Sequence, residues 1–371
     1  MTSKNKNKVH IIAEIGVNHN GDITLAKKLI LESKRSGADS VKLQTFNTDE
    51  MITPNTEKAK YQIINTQNTE SQYEMLKRYE FNHKDYLLLV KYSKKINIEL
   101  FSTACDIKSL RYLSKTLKLK TIKISSSDLT NIPLLLQAGS TKKNIIISSG
   151  MGNIEEIDIA LSALSYGYNN TSELNLSKFN ISKHQKYYIK HYSYLSKKVT
   201  LLHCTTEYPA PIDELNLNII DSFKERYKIS IGYSDHSNDM TTPIIATTKN
   251  IDVIEVHVTL DNDLPGPDHI CSLNMNEFKK YVKNIRKTEL MLGSFKKIPT
   301  RSELKNIKSV RKSLVISKLS NKNDKLSYKN LTVKRPGSGI PSLQYNEYLG
   351  KTLNKNLKEN HFLKKNDVKP K

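Results

Sequence analysis

The chain has 371 residues, 37% of them hydrophobic and 26% charged, so it can bury a sizeable core and is not of disordered composition. Lys and Arg number 59 against 37 Asp and Glu, giving a formal net charge of +22 that invites a nucleic-acid or anionic ligand. The lysines are scattered over the polar sides of helical patterns, which favours solvated faces over a binding stripe. Three cysteines (Cys105, Cys204 and Cys271) are too few and too dispersed for a disulfide framework. No apolar run approaches membrane-spanning length and no cleavage signal follows the first apolar run, so a cytoplasmic protein is expected.

From residue 9 onward, strand-like and helix-like segments alternate. Apolar runs rich in Ile and Val predict strands at 10–17, 40–46, 97–103, 121–127, 144–150, 198–205, 229–236 and 253–260. Amphipathic patterns predict helices at 25–37, 84–96, 106–117, 133–139, 154–164, 217–227, 241–249 and 274–292. Eight βα units with short connections predict a closed (β/α)8 TIM barrel over 1–294. A doubly wound sheet is disfavoured because no Gly-x-Gly-x-x-Gly follows the first strand. Two excursions interrupt the alternation, a polar one at 47–83 and a Tyr/Lys-rich insertion at 165–197. The insertion's Tyr and Lys suit RNA contact, or simply an elaborated surface. A polar, basic linker is expected at 295–309, and a small β-rich domain at 310–371.

Barrel active sites lie at the C-terminal strand ends. There the sequence places Glu14, Lys42 and Gln44, Thr103, Lys123 with Ser126 and Asp128, Ser148, Tyr208, Ser234 and His236, and Glu255 with His257. Inward lysines are costly unless they meet an anion, so Lys42 and Lys123, with hydroxyls from Thr103, Ser126 and Ser148, make a phosphate or carboxylate pocket. The alternative is that each lysine pairs with Glu14 or Asp128. His236 and His257 end consecutive strands and suit a shared divalent metal, although either one alone reads as a structural histidine.

The stretches AEIGVNHNG (13–21), VKLQTF (41–46), ISSGM (147–151), HCTTEYPAP (203–211), GYSDHS (232–237), EVHVT (255–259), PGPDH (265–269) and KRPGSGI (334–340) resemble the sialic acid synthase family across both expected domains. The resemblance implies condensation of phosphoenolpyruvate with an N-acetylated amino sugar, releasing phosphate. N-acetylmannosamine is the first expectation for the sugar, giving N-acetylneuraminate, and a diacetamido sugar leading to legionaminate or pseudaminate is the alternative. A basic nucleic-acid-binding protein stands as the rival from another class. The resemblance makes His236 and His257 metal ligands, with Mn2+ first and Mg2+ or Co2+ as alternatives. It gives Glu14, Asp128 and His236 catalytic roles. Lys42, Thr103, Lys123, Ser126, Ser148 and Ser234 become contacts for phosphoenolpyruvate. Gln44, Tyr208, Asp268 and Arg335 become contacts for the sugar. It further implies a homodimer in which the C-terminal domain, similar to the antifreeze-like (SAF) domain, caps the partner's barrel. Ala104-Cys105 and Ser125-Ser126-Ser127-Asp128 depart from the family's usual Pro-Phe and Gly-Ser-Gly-Glu.

Overall fold

The computed structural model describes residues 8–66, 69–170, 178–190 and 192–370. It divides after Gly293 into two compact units.

In the first unit, strands β1 (His10–Gly16), β2 (Ser40–Thr45), β3 (Glu99–Ala104), β4 (Thr121–Ile124), β5 (Asn144–Ser148), β6 (Val199–His203), β7 (Ser230–Asp235) and β8 (Val253–Thr259) pair in parallel with their sequence neighbours, and β8 closes onto β1. This is the expected eight-stranded barrel, with each strand within about two residues of its prediction at the start. A short β9 (Leu273–Asn274) adds to the end of β8.

Side chains alternate along each strand, and the alternation builds two inner layers. Ile12, Phe101, Ile146, Leu202 and Val253 point inward and plug the barrel floor. Two residues further along the same strands come Glu14, Thr103, Ser148, Cys204 and Glu255. The chain therefore switches from an apolar to a polar lining within one strand period. Outward residues such as Ile11, Leu43, Ile122, Ile147 and Leu201 pack under the helices in one large core.

The helices are α1 (Ile23–Ser36), α2 (Thr48–Met51), α3 (Lys60–Thr66), α4 (Gln72–Tyr79), α5 (His83–Lys95), α6 (Ile107–Arg111), α7 (Ile132–Ser140), α8 (Ile154–Asn169), α9 (His184–Lys190), α10 (Tyr192–Lys198), α11 (Ile219–Arg226), α12 (Thr242–Thr248) and α13 (Met275–Leu292). Side-chain caps fix many of their starts, with reciprocal boxes at Asn82, Asn153 and Asn274. The polar excursion at 47–83, expected as loop or short helix above the rim, holds the short helices α2, α3 and α4, whose residues line the barrel mouth. The helix expected at 106–117 continues past α6 as a π-helical turn, Tyr112–Thr116. The insertion begins inside α8 and includes α9 and α10, and part of it lies outside the described residues. Its Tyr166, Phe179 and Tyr187 pack against one another at 5.1–5.6 Å between ring centroids, so these rings are spent on packing.

In the second unit, α14 (Arg301–Val310) occupies much of the stretch expected as a linker, started by a Thr300–Glu303 capping box. Strands β10 (Ser313–Ile316) and β11 (Leu331–Lys334) pair antiparallel, followed by the short α15 (Tyr345–Tyr348). Leu314, Ile316, Leu326, Leu331, Leu353 and Leu363 form this unit's own core. The small β-rich domain inferred from the sequence is thus present.

Candidate active site

The strand ends and the α2–α4 excursion enclose a cavity of about 720 Å3. Strand register decides which groups meet there. Glu14 on β1 sits beside Lys42 on one flank and His257 on the other. Gln44 pairs with Thr103, which pairs with Lys123. Ser234 stands beside Glu255.

These neighbours form a buried charge array. Lys42 Nζ is ion-paired with Glu14, donates to Thr103 Oγ1 at 3.1 Å, and lies 3.8 Å from Glu255 Oε1. Lys123 Nζ and Ser234 Oγ donate to that same Glu255 oxygen at 2.8 and 3.1 Å. Burial raises the Glu14 carboxyl above the usual range even with Lys42 beside it. Burial would raise Glu255 too, but the Lys123 and Lys42 charges outweigh it and hold the group down at about 2. Lys123 is lowered by burial, whereas Lys42, against the same burial, is held above its ordinary value by Glu14 and Glu255. Glu255 Oε2 and Ser148 Oγ are buried with no hydrogen-bond partner. The two lysines and the unspent Ser148 hydroxyl are the donors an anionic guest needs, whereas the free Glu255 oxygen suits a cation.

The imidazoles of His236 and His257 lie 5.5 Å apart, steeply inclined. His236 Nδ1 meets the Thr205 carbonyl at 2.7 Å, so Nδ1 carries the proton and Nε2 keeps its lone pair. Burial lowers His236 to about 4 and His257 well below its ordinary value, so both rings are neutral and able to ligate near pH 7. His257 Nδ1 lies 3.9 Å from Asp268 Oδ2, and burial pushes that carboxyl up to about 7. Among the described residues no three His, Cys, Asp or Glu side chains form a ready cage. Two neutral imidazoles beside an unpartnered carboxylate oxygen fit a divalent ion whose remaining positions go to water and substrate. The Tyr208 ring packs 4.2 Å from His236, and Tyr61 on α3 packs 5.0 Å from Tyr208.

Asp128 follows β4 on a short 3-10 turn and lines the cavity. Ser125 Oγ donates to its Oδ2 at 2.8 Å, and Asn131 Nδ2 to its Oδ1 at 2.9 Å. The Gly150 amide donates to Ser126 Oγ at 3.1 Å.

Of the residues expected from the sequence, Lys42, Gln44, Thr103, Lys123, Ser126, Asp128, Ser148, Tyr208, Ser234, His236 and His257 line one cavity. Glu14 shares the inner polar layer but is buried outside the cavity lining, held by Lys42 and by Gln44 Nε2 at 3.2 Å. Asp268 reaches His257. Arg335 belongs to the second unit, exposed just after β11. Sequence reasoning placed Glu255 with His257 at a strand end and missed its role as the point where two lysines converge. It also missed Tyr61, Gln62, Gln72 and Leu76, whose short helices carry no strong periodic signal, and Asn131 beside Asp128.

Residues 29–297 match the model of the NeuB family. The chain is 42% identical to the N,N'-diacetyllegionaminic acid synthase of Campylobacter jejuni, covering 96% of this chain and 99% of that one. It is 37% identical to the enzyme of the same name from Legionella pneumophila, covering 94% and 91%. Among solved structures it resembles the N-acetylneuraminic acid synthetase of Leptospira borgpetersenii, crystallised with citrate. That match has a TM-score of 0.65 and 30% identity, and covers 83% of this chain and 94% of that one. The chain belongs to the NeuB family, and with its cavity intact it is a phosphoenolpyruvate-dependent enzyme that forms a carbon–carbon bond.

Proposed function

We propose that the enzyme condenses phosphoenolpyruvate with an open-chain diacetamido sugar to give a legionaminate-type 2-keto acid, and that N-acetylmannosamine, first expected from the sequence, is the poorer substrate. The observation that carries this reading is near-full-length identity of 42% and 37% with two legionaminic acid synthases, against 30% with the N-acetylneuraminic acid enzyme.

Lys42, Lys123, Thr103, Ser126, Ser148 and Ser234 would hold the phosphate and carboxylate of phosphoenolpyruvate, drawing the lysines away from Glu14 and Glu255. Gln44, Tyr208 and Asp268 would orient the sugar. His236 and His257 would hold a divalent cation, with Mn2+ the first choice, which supplies Lewis-acid polarisation of the sugar aldehyde. C3 of phosphoenolpyruvate then bonds to the aldehyde carbon, and water attacks C2. Asp128, as a carboxylate, takes one proton from that water. The C2–O bond to phosphate breaks, and the two water protons end on the new hydroxyl and on the released phosphate. Glu14, ion-paired with Lys42 and outside the cavity lining, would position that lysine and place negative charge near the positive charge developing at C2. Arg335 would reach the sugar from a second copy of the chain in a homodimer.

Phosphate release with Mn2+ and phosphoenolpyruvate, measured for the diacetamido sugar and for N-acetylmannosamine, tests the reading. The diacetamido sugar is expected to give a kcat/KM at least about tenfold higher, the discrimination that one extra recognised group supports. Equal or reversed preference overturns the sugar assignment, and no release with either sugar overturns the reaction.

A further inference from the structure

The tri-serine turn Ser125-Ser126-Ser127, which departs from the usual glycine-bearing motif, has a use in the geometry around Asp128. We infer that Ser125 and Asn131 are positioning residues that clamp the two carboxylate oxygens of Asp128, fixing the shorter acid as a base aimed into the cavity. The inference rests on the reading of Asp128 as the proton acceptor.

The two donors reach different oxygens. Ser125 Oγ donates to Oδ2 at 2.8 Å and is itself 2.7 Å from Ser127 Oγ, on the exposed side of the turn. Asn131 donates its amide to Oδ1 at 2.9 Å while its own oxygen accepts from the Leu134 amide at 3.3 Å, capping α7. That cap fixes the Asn131 side chain independently of Asp128, so the clamp is anchored on a helix. Ser125, Ser127, Asp128 and Asn131 all line the cavity. An Asp is one methylene shorter than a Glu and reaches less far from the backbone. A hydroxyl at position 125, where glycine has none, supplies a donor that holds the short side chain in one rotamer. Each oxygen keeps a lone pair for an incoming proton.

The electrostatics agree with a carboxylate that needs this support. Burial raises Asp128 above the ordinary range, and Asn131 and Ser125 pull it back toward ionisation. The other ionisable groups facing it, Asp106 and Cys105 at the β3–α6 connection, supply no positive charge. Two neutral donors therefore carry the stabilisation of the anion.

The test measures kcat and KM for both substrates against pH in the full-length enzyme and in Ser125→Ala, Ser125→Thr, Asn131→Ser and Asp128→Asn. Serine at 131 keeps a capping oxygen but loses the amide donor. Ser125→Ala and Asn131→Ser are expected to lower kcat about tenfold and to leave KM for phosphoenolpyruvate within about twofold. They also move the acidic limb of the kcat profile to higher pH, because the carboxylate loses a donor. Threonine at 125 restores both kcat and the limb. Asp128→Asn lowers kcat by about a hundredfold or more. Full activity in Asp128→Asn overturns the base assignment and the clamp with it. An inactive Asp128→Asn, with pH profiles of Ser125→Ala and Asn131→Ser that superimpose on the parent, overturns the clamp alone. A rise in KM for phosphoenolpyruvate in step with the loss of kcat assigns the two residues to general pocket structure and also overturns it.

Discussion

Gly150 shows how little room the cavity wall leaves at single positions. A Cβ there would stand 2.0 Å from Thr206 Oγ1, 2.8 Å from Ser126 Oγ and 3.0 Å from Cys204 Sγ. Gly150→Ala must push the β4 and β6 ends apart, costing about 1–3 kcal/mol. It is expected to raise KM for phosphoenolpyruvate about tenfold or more while sparing KM for the sugar, as read in steady-state kinetics. The two imidazoles allow a measurement that needs no turnover. Calorimetric titration with Mn2+ is expected to show one site in the parent, and affinity reduced at least about tenfold in His236→Ala and in His257→Ala. Retained affinity in both variants would move the metal elsewhere. The inward polar residues were legible because strand alternation places them two residues past an apolar floor. That Glu255 serves both lysines was not, since the sequence fixes which face a side chain occupies and not which charges converge on it.

At the scale of elements, α7 and α8 cross on bare backbone. A Cβ on Gly139 would meet the Leu164 carbonyl at 2.2 Å, and one on Gly167 the Leu136 carbonyl at 2.2 Å. Gly139→Ala is expected to lower the thermal midpoint by several degrees, since backbone cannot yield as a flexible side chain can. In the second unit, buried Asp367 ties the C-terminal turns together. Lys355 Nζ lies 2.7 Å from its Oδ1, and His361 Nε2 and the Lys364 amide donate to its Oδ2 at 2.7 and 2.9 Å. Burial would raise this carboxyl, but Lys355 and His361 hold it below the ordinary value. Its contribution is thus complete above about pH 4 and is lost as pH falls through the depressed folded value. Asp367→Asn is expected to cost about 2–3 kcal/mol near neutral pH and much less at pH 3, in urea melts followed at both pH values. The barrel strands were legible as Ile/Val runs between capped amphipathic helices. The sequence leaves 47–83 open between loop and short helix and gives α14 as linker, because segments of four to ten residues form only with tertiary support.

For the whole molecule, the proposed reach of Arg335 into a second copy's site predicts complementation. His236→Ala and Arg335→Ala proteins, each with little activity on the sugar, are unfolded together and refolded as an equal mixture. Random pairing yields half mixed dimers, each with one intact site, so about a quarter of parental activity is expected to return. No recovery would place Arg335 and His236 in the same chain's site, or Arg335 in none. The net charge of +22 has no bearing on that result, because the charge is spread over solvated surfaces. The ion pairs at the cavity floor have a further consequence, for product inhibition. Lys42 and Lys123 are already neutralised by Glu14 and Glu255, so a lone phosphate must break internal pairs and brings only one anionic group in exchange. Phosphoenolpyruvate brings two, joined through a single carbon, and can engage both lysines at once. If the two lysines hold phosphoenolpyruvate as proposed, a site balanced in this way favours the reactant over its own by-product, and only weak inhibition by added phosphate is expected in steady-state assays.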